Sequence, residues 1–250
     1  MKKFKKLIPA FCMLLISAVL MGTSTFAWFS MNSEVTAGAL TIKATTDANL
    51  FIANGASVEL DAITGTSVDN LNVSANAVKP CELTDADGTV TVKDVATYTT
   101  NPTVGTAGTA ATYTNIGTIT NTAKTNETGK DVGNYVAVGF VTIARKQTTA
   151  GTYKITPVCT VNTASASNLN KALRAGLIIN GVLYESNDAD SAGTEISFTF
   201  NDVTGLADNT AYSVALLLWF EGEDTDCTAN NAVSLSQNTA NWTFTSAAND

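Results

Sequence analysis

The chain has 250 residues, of which 45% are hydrophobic, and its net charge is −8. This composition supports a sizeable folded core and excludes an intrinsically disordered chain. The sequence contains no histidine, which excludes Ser-His-Asp, Cys-His and HExxH catalysis. The negative charge excludes nucleic acid as a partner, because neutralising phosphates requires a basic surface.

The amino-terminal residues have the pattern of a signal peptide. Four lysines precede an apolar segment, residues 7–21, which is shorter than the ~20 residues of a membrane-spanning helix. The small side chains of Thr25 and Ala27 then predict cleavage between Ala27 and Trp28. The alternative is a retained single-pass anchor. Without residues 1–27 the chain keeps 10 basic and 22 acidic residues, a net charge of −12, and we expect the mature protein not to span the membrane.

An apolar arm follows the predicted cleavage site. Trp28 and Phe29 are large aromatic side chains that favour burial. Small and apolar residues then alternate along a strand, and their phase changes at Gly38, which predicts a β-bulge there. Six residues of this stretch form the predicted contact surface of the arm: Trp28, Phe29, Val35, Ala37, Leu40 and Ile42.

The junction Thr25-Phe-Ala-Trp-Phe-Ser30 and the motif Ala37-Gly-Ala-Leu-Thr-Ile42 resemble the amino-terminal end of the TasA/camelysin proteins of Gram-positive bacteria. The resemblance covers about the first 45 residues. It implies export through a dedicated SipW-type signal peptidase. It also implies fibres in which the arm of one subunit completes the sheet of the next, a form of β-augmentation. The alternative is that Leu40–Ala44 is simply the first strand of its own sandwich. The two interpretations are compatible if only residues 28–37 are exchanged between subunits and the strand from Leu40 onward stays in its own domain.

The body of the chain predicts short strands separated by turns. Val90 and Val92 indicate an exposed strand, and residues 96–125, rich in Thr, Gly and Ala, indicate loops and weak strands. Pro157 predicts a sheet edge or a bulge, and Asn180-Gly181 predicts a hairpin turn. The other predicted strands are 50–53, 135–144, 153–161, 176–184, 196–200, 211–221, 233–235 and 242–245, and the predicted helix is 167–174.

About ten such strands predict an all-β fold, an antiparallel, jelly-roll-like β-sandwich with one or two short helices. The predicted organisation is a signal peptide (1–27), an amino-terminal arm and possible donor strand (28–38), and a β-sandwich domain (39–250).

Three acidic groups are candidate calcium sites, because calcium binds several hard oxygen ligands on a turning backbone. None completes an EF-hand loop, and solvated acidic turns are the competing interpretation. The candidate ligands are Asp85, Asp87, Asp188, Asp190, Glu223, Asp224 and Asp226. We predict no other cofactor.

Glu221 and Glu223 lie on one side of a predicted strand, as a glycosidase would require of two carboxylates. No run of aromatic residues accompanies them, so we predict a protein that is not an enzyme. The missing histidine also argues against a camelysin-type peptidase. Cys81, Cys159 and Cys227 remain after cleavage. At most one disulfide forms among them, and their spacing does not indicate which pair it joins, if any.

The sequence therefore predicts a secreted, non-enzymatic structural subunit of an extracellular fibre or biofilm matrix at the cell surface. Its expected partners are the SipW-type signal peptidase, further copies of itself as a homopolymer, and other matrix or surface components. The alternative is a monomeric secreted adhesin or ligand-binding β-sandwich whose loops bind the ligand, with calcium as a candidate cofactor.

Overall fold

The computed structural model describes residues 40–47, 49–73, 79–100, 109–163, 166, 168–186, 191–227 and 239–248. Short 3₁₀ helices occur at Leu60–Ala62, Val132–Asn134 and Asn168–Ala172. Fifteen strands occur in these residues: β1 (Leu40–Thr46), β2 (Leu50–Asn54), β3 (Ser67–Val73), β4 (Glu82–Ala86), β5 (Thr89–Thr100), β6 (Thr109–Ile119), β7 (Lys124–Asn126), β8 (Val136–Arg145), β9 (Thr152–Asn162), β10 (Leu173–Ile179), β11 (Val182–Glu185), β12 (Glu195–Thr199), β13 (Val203–Ala207), β14 (Tyr212–Phe220) and β15 (Thr239–Ala248).

The strands form three sheets. Sheet A has the order β12-β9-β15-β1-β3, with β13 also paired to β9; sheet B has the order β11-β10-β14-β8-β2; sheet C has the order β4-β5-β6-β7. All pairings between strands are antiparallel except that of β1 with β15, which is parallel. The predicted all-β fold, a sandwich of antiparallel sheets, is confirmed. Among the described residues, no helix is long and apolar enough to cross a membrane.

Sheet A has one buried face. In β9 and β15 buried residues alternate with more exposed ones, as expected when one side of a sheet meets water. In β1, Ile42 and Ala44 are fully buried while Lys43 is exposed. The register of β1 against β3 shifts between Ile42 and Ala44. The bulge predicted at Gly38 lies outside the described residues.

Sheet B is covered on both faces, which explains why its strands are apolar almost throughout. On one face, a methyl group at Gly139 of β8 would lie 3.4 Å from the side chains of Ile42 and Leu71 in sheet A. On the other face, Leu217 and Trp219 of β14 join a core that sheet C closes. The molecule is therefore a three-layered sandwich with sheet B in the middle.

Sheet C corrects two predictions. The strand at Val90 and Val92 exists, but both side chains are fully buried against sheet B rather than exposed. The region predicted as loops and weak strands contains the long strands β5 and β6, which pair with four register shifts. Residues 101–108 between them lie outside the described residues. Alternation alone cannot tell which face of a strand a third sheet covers, so no pattern in the sequence indicates this burial.

The Asn180-Gly181 hairpin turn is confirmed, because it joins β10 to β11 with Ile179 opposite Val182. The helix predicted over residues 167–174 is wrong in its type and its end: only a 3₁₀ helix forms, over Asn168–Ala172, and Leu173 already begins β10. Strands β3, β4, β7 and β13 were not predicted, and the predicted strand 233–235 lies outside the described residues.

Pro157 lies in an interior strand and not in an edge strand as predicted, but at Pro157 itself one side of the strand has no paired neighbour. Neighbouring strands flank β9 on both sides. However, β12 pairs with Val158 and the residues after it, while β13 pairs with Ile155 and the residues before it. Pro157 therefore occupies the gap between these two short strands, where its missing N–H removes no ladder hydrogen bond.

Candidate functional site

The predicted cleavage site at Ala27 and Trp28, and the arm residues Phe29, Val35 and Ala37, lie outside the described residues.

The last two predicted arm residues, Leu40 and Ile42, lie in β1. That strand sits between β15 and β3, with Leu40 opposite Val73 and Ile42 opposite Leu71. Ile42 is fully buried in its own sheet. These positions are those of a strand that belongs to its own domain from Leu40 onward.

The acidic calcium candidates do not form a ligand shell. Asp188 and Asp190 lie outside the described residues. Asp85 lies in β4 opposite Val90, and Asp87 adopts a left-handed turn conformation with φ of 52°. In the part of the chain that the structure describes, no group of three or more Cys, Asp or Glu residues is arranged to hold a metal ion. Calcium binding therefore stays a prediction.

The third acidic group uses its carboxylates within the fold. Asp224 accepts a hydrogen bond of 2.5 Å from the Arg174 guanidinium and another of 2.8 Å from the backbone N–H of Asp226. Glu223 accepts a hydrogen bond from the hydroxyl of Tyr113 in β6. These contacts fix the loop after β14 against sheets B and C.

The structure brings together a carboxyl pair that the sequence did not indicate. Cys81 forms an isolated parallel bridge with Glu221, and this bridge places Glu82, the next residue, beside the end of β14. The side chains of Glu82 and Glu221 lie close enough to share a hydrogen bond, and each affects the pKa of the other. Trp219 donates its indole N–H to Oε2 of Glu221 at 3.3 Å. Oε1 of Glu221 is buried and meets no N–H or hydroxyl donor among the described residues.

Two carboxylates are both acceptors, so a hydrogen bond between Glu82 and Glu221 requires a proton on one of them. Burial, followed by the negative charge of Glu82, raises the pKa of Glu221 to about 7. Burial also raises the pKa of Glu82, although the hydrogen bond from Glu221 opposes this. Glu221 is therefore the member that holds the proton, and Glu82 is the acceptor.

Further charged groups surround this pair. Glu82 lies opposite Lys93 across the β4–β5 ladder, and Lys93 lies 5.7 Å from the ring centre of Tyr113. Burial and the charge of Glu221 raise the pKa of Glu185 in β11. We name Glu82, Glu221, Glu185, Glu223 and Tyr113 the carboxyl cluster. Tyr113 is 40% exposed, so the cluster reaches the protein surface.

The cluster is suited to holding a proton near neutral pH, and its geometry differs from the predicted pair. The predicted pairing of two carboxylates on one strand face, Glu221 with Glu223, is replaced by a pairing of Glu221 with Glu82 from another sheet. No periodic or motif signal in the sequence connects residues 82 and 221, because only the bridge at Cys81 brings them together.

Comparisons with known proteins do not name a family. No family model and no curated protein matches the chain. One solved structure with a similar region is AvmM, described as catalysing macrocyclization in alchivemycin A biosynthesis; it is 9% identical, with a TM-score of 0.25, over 34% of this chain and 56% of that one. Another is the full-length major pilin SpaD from Corynebacterium diphtheriae, 12% identical, with a TM-score of 0.17, over 83% of this chain and 64% of that one. The chain thus spans less than two thirds of either, and likenesses this distant say nothing about function.

Proposed function

We propose that this protein is a secreted, non-enzymatic structural subunit of an extracellular fibre or biofilm matrix. In this proposal a SipW-type signal peptidase cleaves the chain between Ala27 and Trp28. The arm, residues 28–38, then adds a strand to a sheet of a neighbouring copy. Other copies of the same chain are the main partner, and other matrix or surface components are further partners.

The observation that supports the proposal most is the position of β1. This strand lies inside sheet A, with Ile42 and Ala44 fully buried, so the domain keeps its own first strand. The apolar residues before Leu40 therefore need not complete the domain's own sheet. Trp28 and Phe29 would each bury on the order of 150–250 Å² of surface if a neighbouring copy covered them.

Sheet A also offers places for an added strand. Among the described residues, β3 pairs only with β1, and β12 and β13 pair only with β9. Each of these strands has a second edge that pairs with no strand of the described residues, and unpaired edges of this kind are where β-augmentation adds a strand. Asp69 in β3 and Asp202 beside β13 carry negative charges near these edges. Charged side chains at a sheet edge disfavour unspecific pairing with strands of other molecules.

The test compares residues 28–250 with the same protein lacking residues 28–38, by light scattering and electron microscopy. We expect filaments from the first and monomers from the second, with circular dichroism spectra of the same β type. A labelled peptide of residues 28–38 should bind the truncated protein and raise its fluorescence anisotropy. Monomers from both proteins over a range of pH and calcium concentration, with no peptide binding, would overturn the proposal.

A matched pair of variants isolates the aromatic residues of the arm. The double variant Trp28→Ser, Phe29→Ser should lose filaments, because it removes the largest apolar surfaces of the arm. The double variant Ser30→Ala, Ser33→Ala leaves those surfaces in place and should keep them. Equal assembly by the two variants would show that the aromatic side chains do not anchor the arm.

The second candidate, a monomeric adhesin or ligand-binding sandwich, is favoured by the carboxyl cluster, where Tyr113 is exposed beside Glu223 and Lys93. Tyrosine is among the residues enriched at recognition surfaces. Binding to a glycan or surface-protein array that persists without residues 28–38 and is lost in Tyr113→Ala would favour this candidate.

A further inference from the structure

The three cysteines of the described chain occupy different parts of the fold. Cys81 directly precedes β4, Cys159 lies in β9, and Cys227 ends the loop that follows β14. All three thiols are free and buried, with exposed fractions of 0%, 0% and 1%. Burial raises the pKa of each thiol, so none is a reactive thiolate near neutral pH.

Cys159 is separated from Cys81 by a whole layer of the structure. Cys159 lies in sheet A, where its backbone pairs with Phe198 on one side and Trp242 on the other. Cys81 belongs to the core between sheets B and C, with Leu217 and Trp219. Sheet B lies between these two regions, so a bond between Cys81 and Cys159 would require the layers to come apart.

Cys81 and Cys227, in contrast, are tied to the same short segment. The backbone N–H of Cys81 donates to the carbonyl of Phe220 at 3.0 Å, and the N–H of Gly222 donates to the carbonyl of Cys81 at 3.0 Å.

The chain from Glu221 to Cys227 then folds back through two successive turns. In these turns the backbone N–H of Asp224 donates to the carbonyl of Glu221 at 3.3 Å. The backbone N–H of Cys227 donates to the carbonyl of Asp224 at 3.1 Å. Two such turns keep Cys227 close to the residues that pair with Cys81.

The electrostatic surroundings of the two thiols agree with this placement. The Glu221 carboxylate acts on both thiols, and the charge of Cys227 also acts on Cys81 and raises its pKa. No such influence of another thiol acts on Cys159, whose pKa is raised by burial alone.

We infer that Cys81 and Cys227 form the disulfide of this protein when it folds outside the reducing cytosol, and that Cys159 remains a thiol. Forming the bond removes one hydrogen from each sulfur. The two electrons and two protons pass to a disulfide oxidant, such as oxidised glutathione or a disulfide oxidoreductase, which is reduced to two thiols.

The loop after β14 allows the sulfur atoms to approach to the ~2 Å of a disulfide bond. Turns rather than a sheet ladder hold Cys227 beyond Asp224, so its side chain can move toward Cys81 without breaking strand pairing or the Arg174–Asp224 ion pair. The bond would fix the end of β14 to the start of β4, and so fix sheet B to sheet C beside the carboxyl cluster.

The test refolds residues 28–250 in a buffer of reduced and oxidised glutathione, which makes it independent of export and of fibre formation. Free thiols are counted with a maleimide after denaturation, the intact mass is measured, and the bridge is mapped in an unreduced digest. We expect one free thiol, at Cys159, a mass lower by about two hydrogen atoms, and a linked pair of peptides containing residues 81 and 227. Three free thiols, or a bridge that includes Cys159, would overturn the inference.

Single variants check the assignment. Cys159→Ser should keep the bridge and show no free thiol, while Cys81→Ser and Cys227→Ser should each show two. Adding a reductant should lower the urea midpoint of the wild-type protein and of Cys159→Ser, and should leave the midpoints of the other two variants unchanged. If a variant fails to fold, the peptide map of the wild-type protein decides alone.

Discussion

Sheet A covers one face of sheet B and sheet C covers the other, and the two packed layers differ. A buried tryptophan in each layer, Trp242 of β15 and Trp219 of β14, shows the difference. Trp242, in sheet A, is fully buried beside Phe200 and Phe244, with ring centres 5.3 and 6.3 Å away. Its indole N–H meets no acceptor among the described residues. Trp219, between sheets B and C, is also buried, but its N–H donates to Glu221.

The polar groups of the two layers differ in kind. Between sheets A and B the surroundings of Trp242 are apolar and its N–H meets no acceptor among the described residues, while the Arg145 guanidinium of sheet B pairs with the buried Asp208 that follows β13. The layer between sheets B and C is apolar at its centre and ends in the carboxyl cluster, where the loop after β14 crosses to β4. We therefore expect substitutions around Trp242 to act through lost packing, and those at the end of the second layer to depend on charge and pH.

The largest effect is expected from Trp242→Ala, which should reduce the free energy of unfolding by about 3–5 kcal/mol, because it leaves a cavity between sheets A and B. Urea denaturation measures this loss. The control Trp242→Phe keeps most of the volume and removes the unsatisfied N–H, so it should cost much less. A loss below about 1 kcal/mol for Trp242→Ala would contradict a tightly packed layer.

At the end of the other layer, Asp224→Asn should cost about 3 kcal/mol, because it leaves the Arg174 guanidinium without its charged partner where both side chains are only 11% and 15% exposed. Urea denaturation again gives the value. Its matched control is Asp202→Asn, which breaks the Lys154–Asp202 pair at 2.9 Å, where the side chains are 38% and 35% exposed. The control should lose clearly less stability, because solvent-exposed ion pairs contribute little, and equal losses would show that the Asp224 carboxylate is as exposed to water as that of Asp202.

The carboxyl cluster should make stability fall as pH rises. The folded state raises the pKa of Glu221 to about 7, above an unfolded value of about 4.3. The stabilisation from the protonated form is therefore complete below about pH 4 and is lost as pH rises through 7.

Between pH 5 and 8 the wild-type protein should lose on the order of 2 kcal/mol relative to Glu221→Gln, whose amide does not titrate. Urea midpoints measured across this range give the comparison, with Glu127→Gln, a substitution at an exposed position, as the control. Parallel profiles for the wild-type protein and Glu221→Gln would show that Glu221 is not the group that titrates.

The smallest expected effect tests the contact between two hairpin turns of sheets B and C. A methyl group at Gly88 would lie 2.2 Å from the carbonyl oxygen of Gly181, whereas one at Gly129 would meet nothing within 4 Å. Both glycines have a positive φ, of 78° and 75°. Gly129→Ala should cost about 1 kcal/mol from the backbone alone, and Gly88→Ala should cost about 1–2 kcal/mol more in thermal or urea unfolding. Equal costs would mean that the two turns separate easily.

Periodicity predicted four strands of sheet A, β1, β9, β12 and β15, because one face of that sheet meets water and their sequence alternates, but it missed β3 and β13. It predicted the strands of sheet B as continuous apolar runs, again correctly, since both faces are covered. It failed at Val90 and Val92, whose alternation with Thr91 and Lys93 fits equally well an exposed strand and a strand packed on a third sheet. The acidic segments were visible in the sequence, but the partner of Glu221 was not.

The sequence by itself determined the all-β class, the Asn180-Gly181 turn and most strands, because these follow from local conformational preference and from burial repeating at every second residue. Only the tertiary structure decided that the sandwich has three layers, that β1 pairs in parallel with β15, and that Glu82 meets Glu221. These features join residues more than a hundred positions apart, and their cause is the covering of both faces of sheet B. No local pattern along the chain records which distant element supplies that cover.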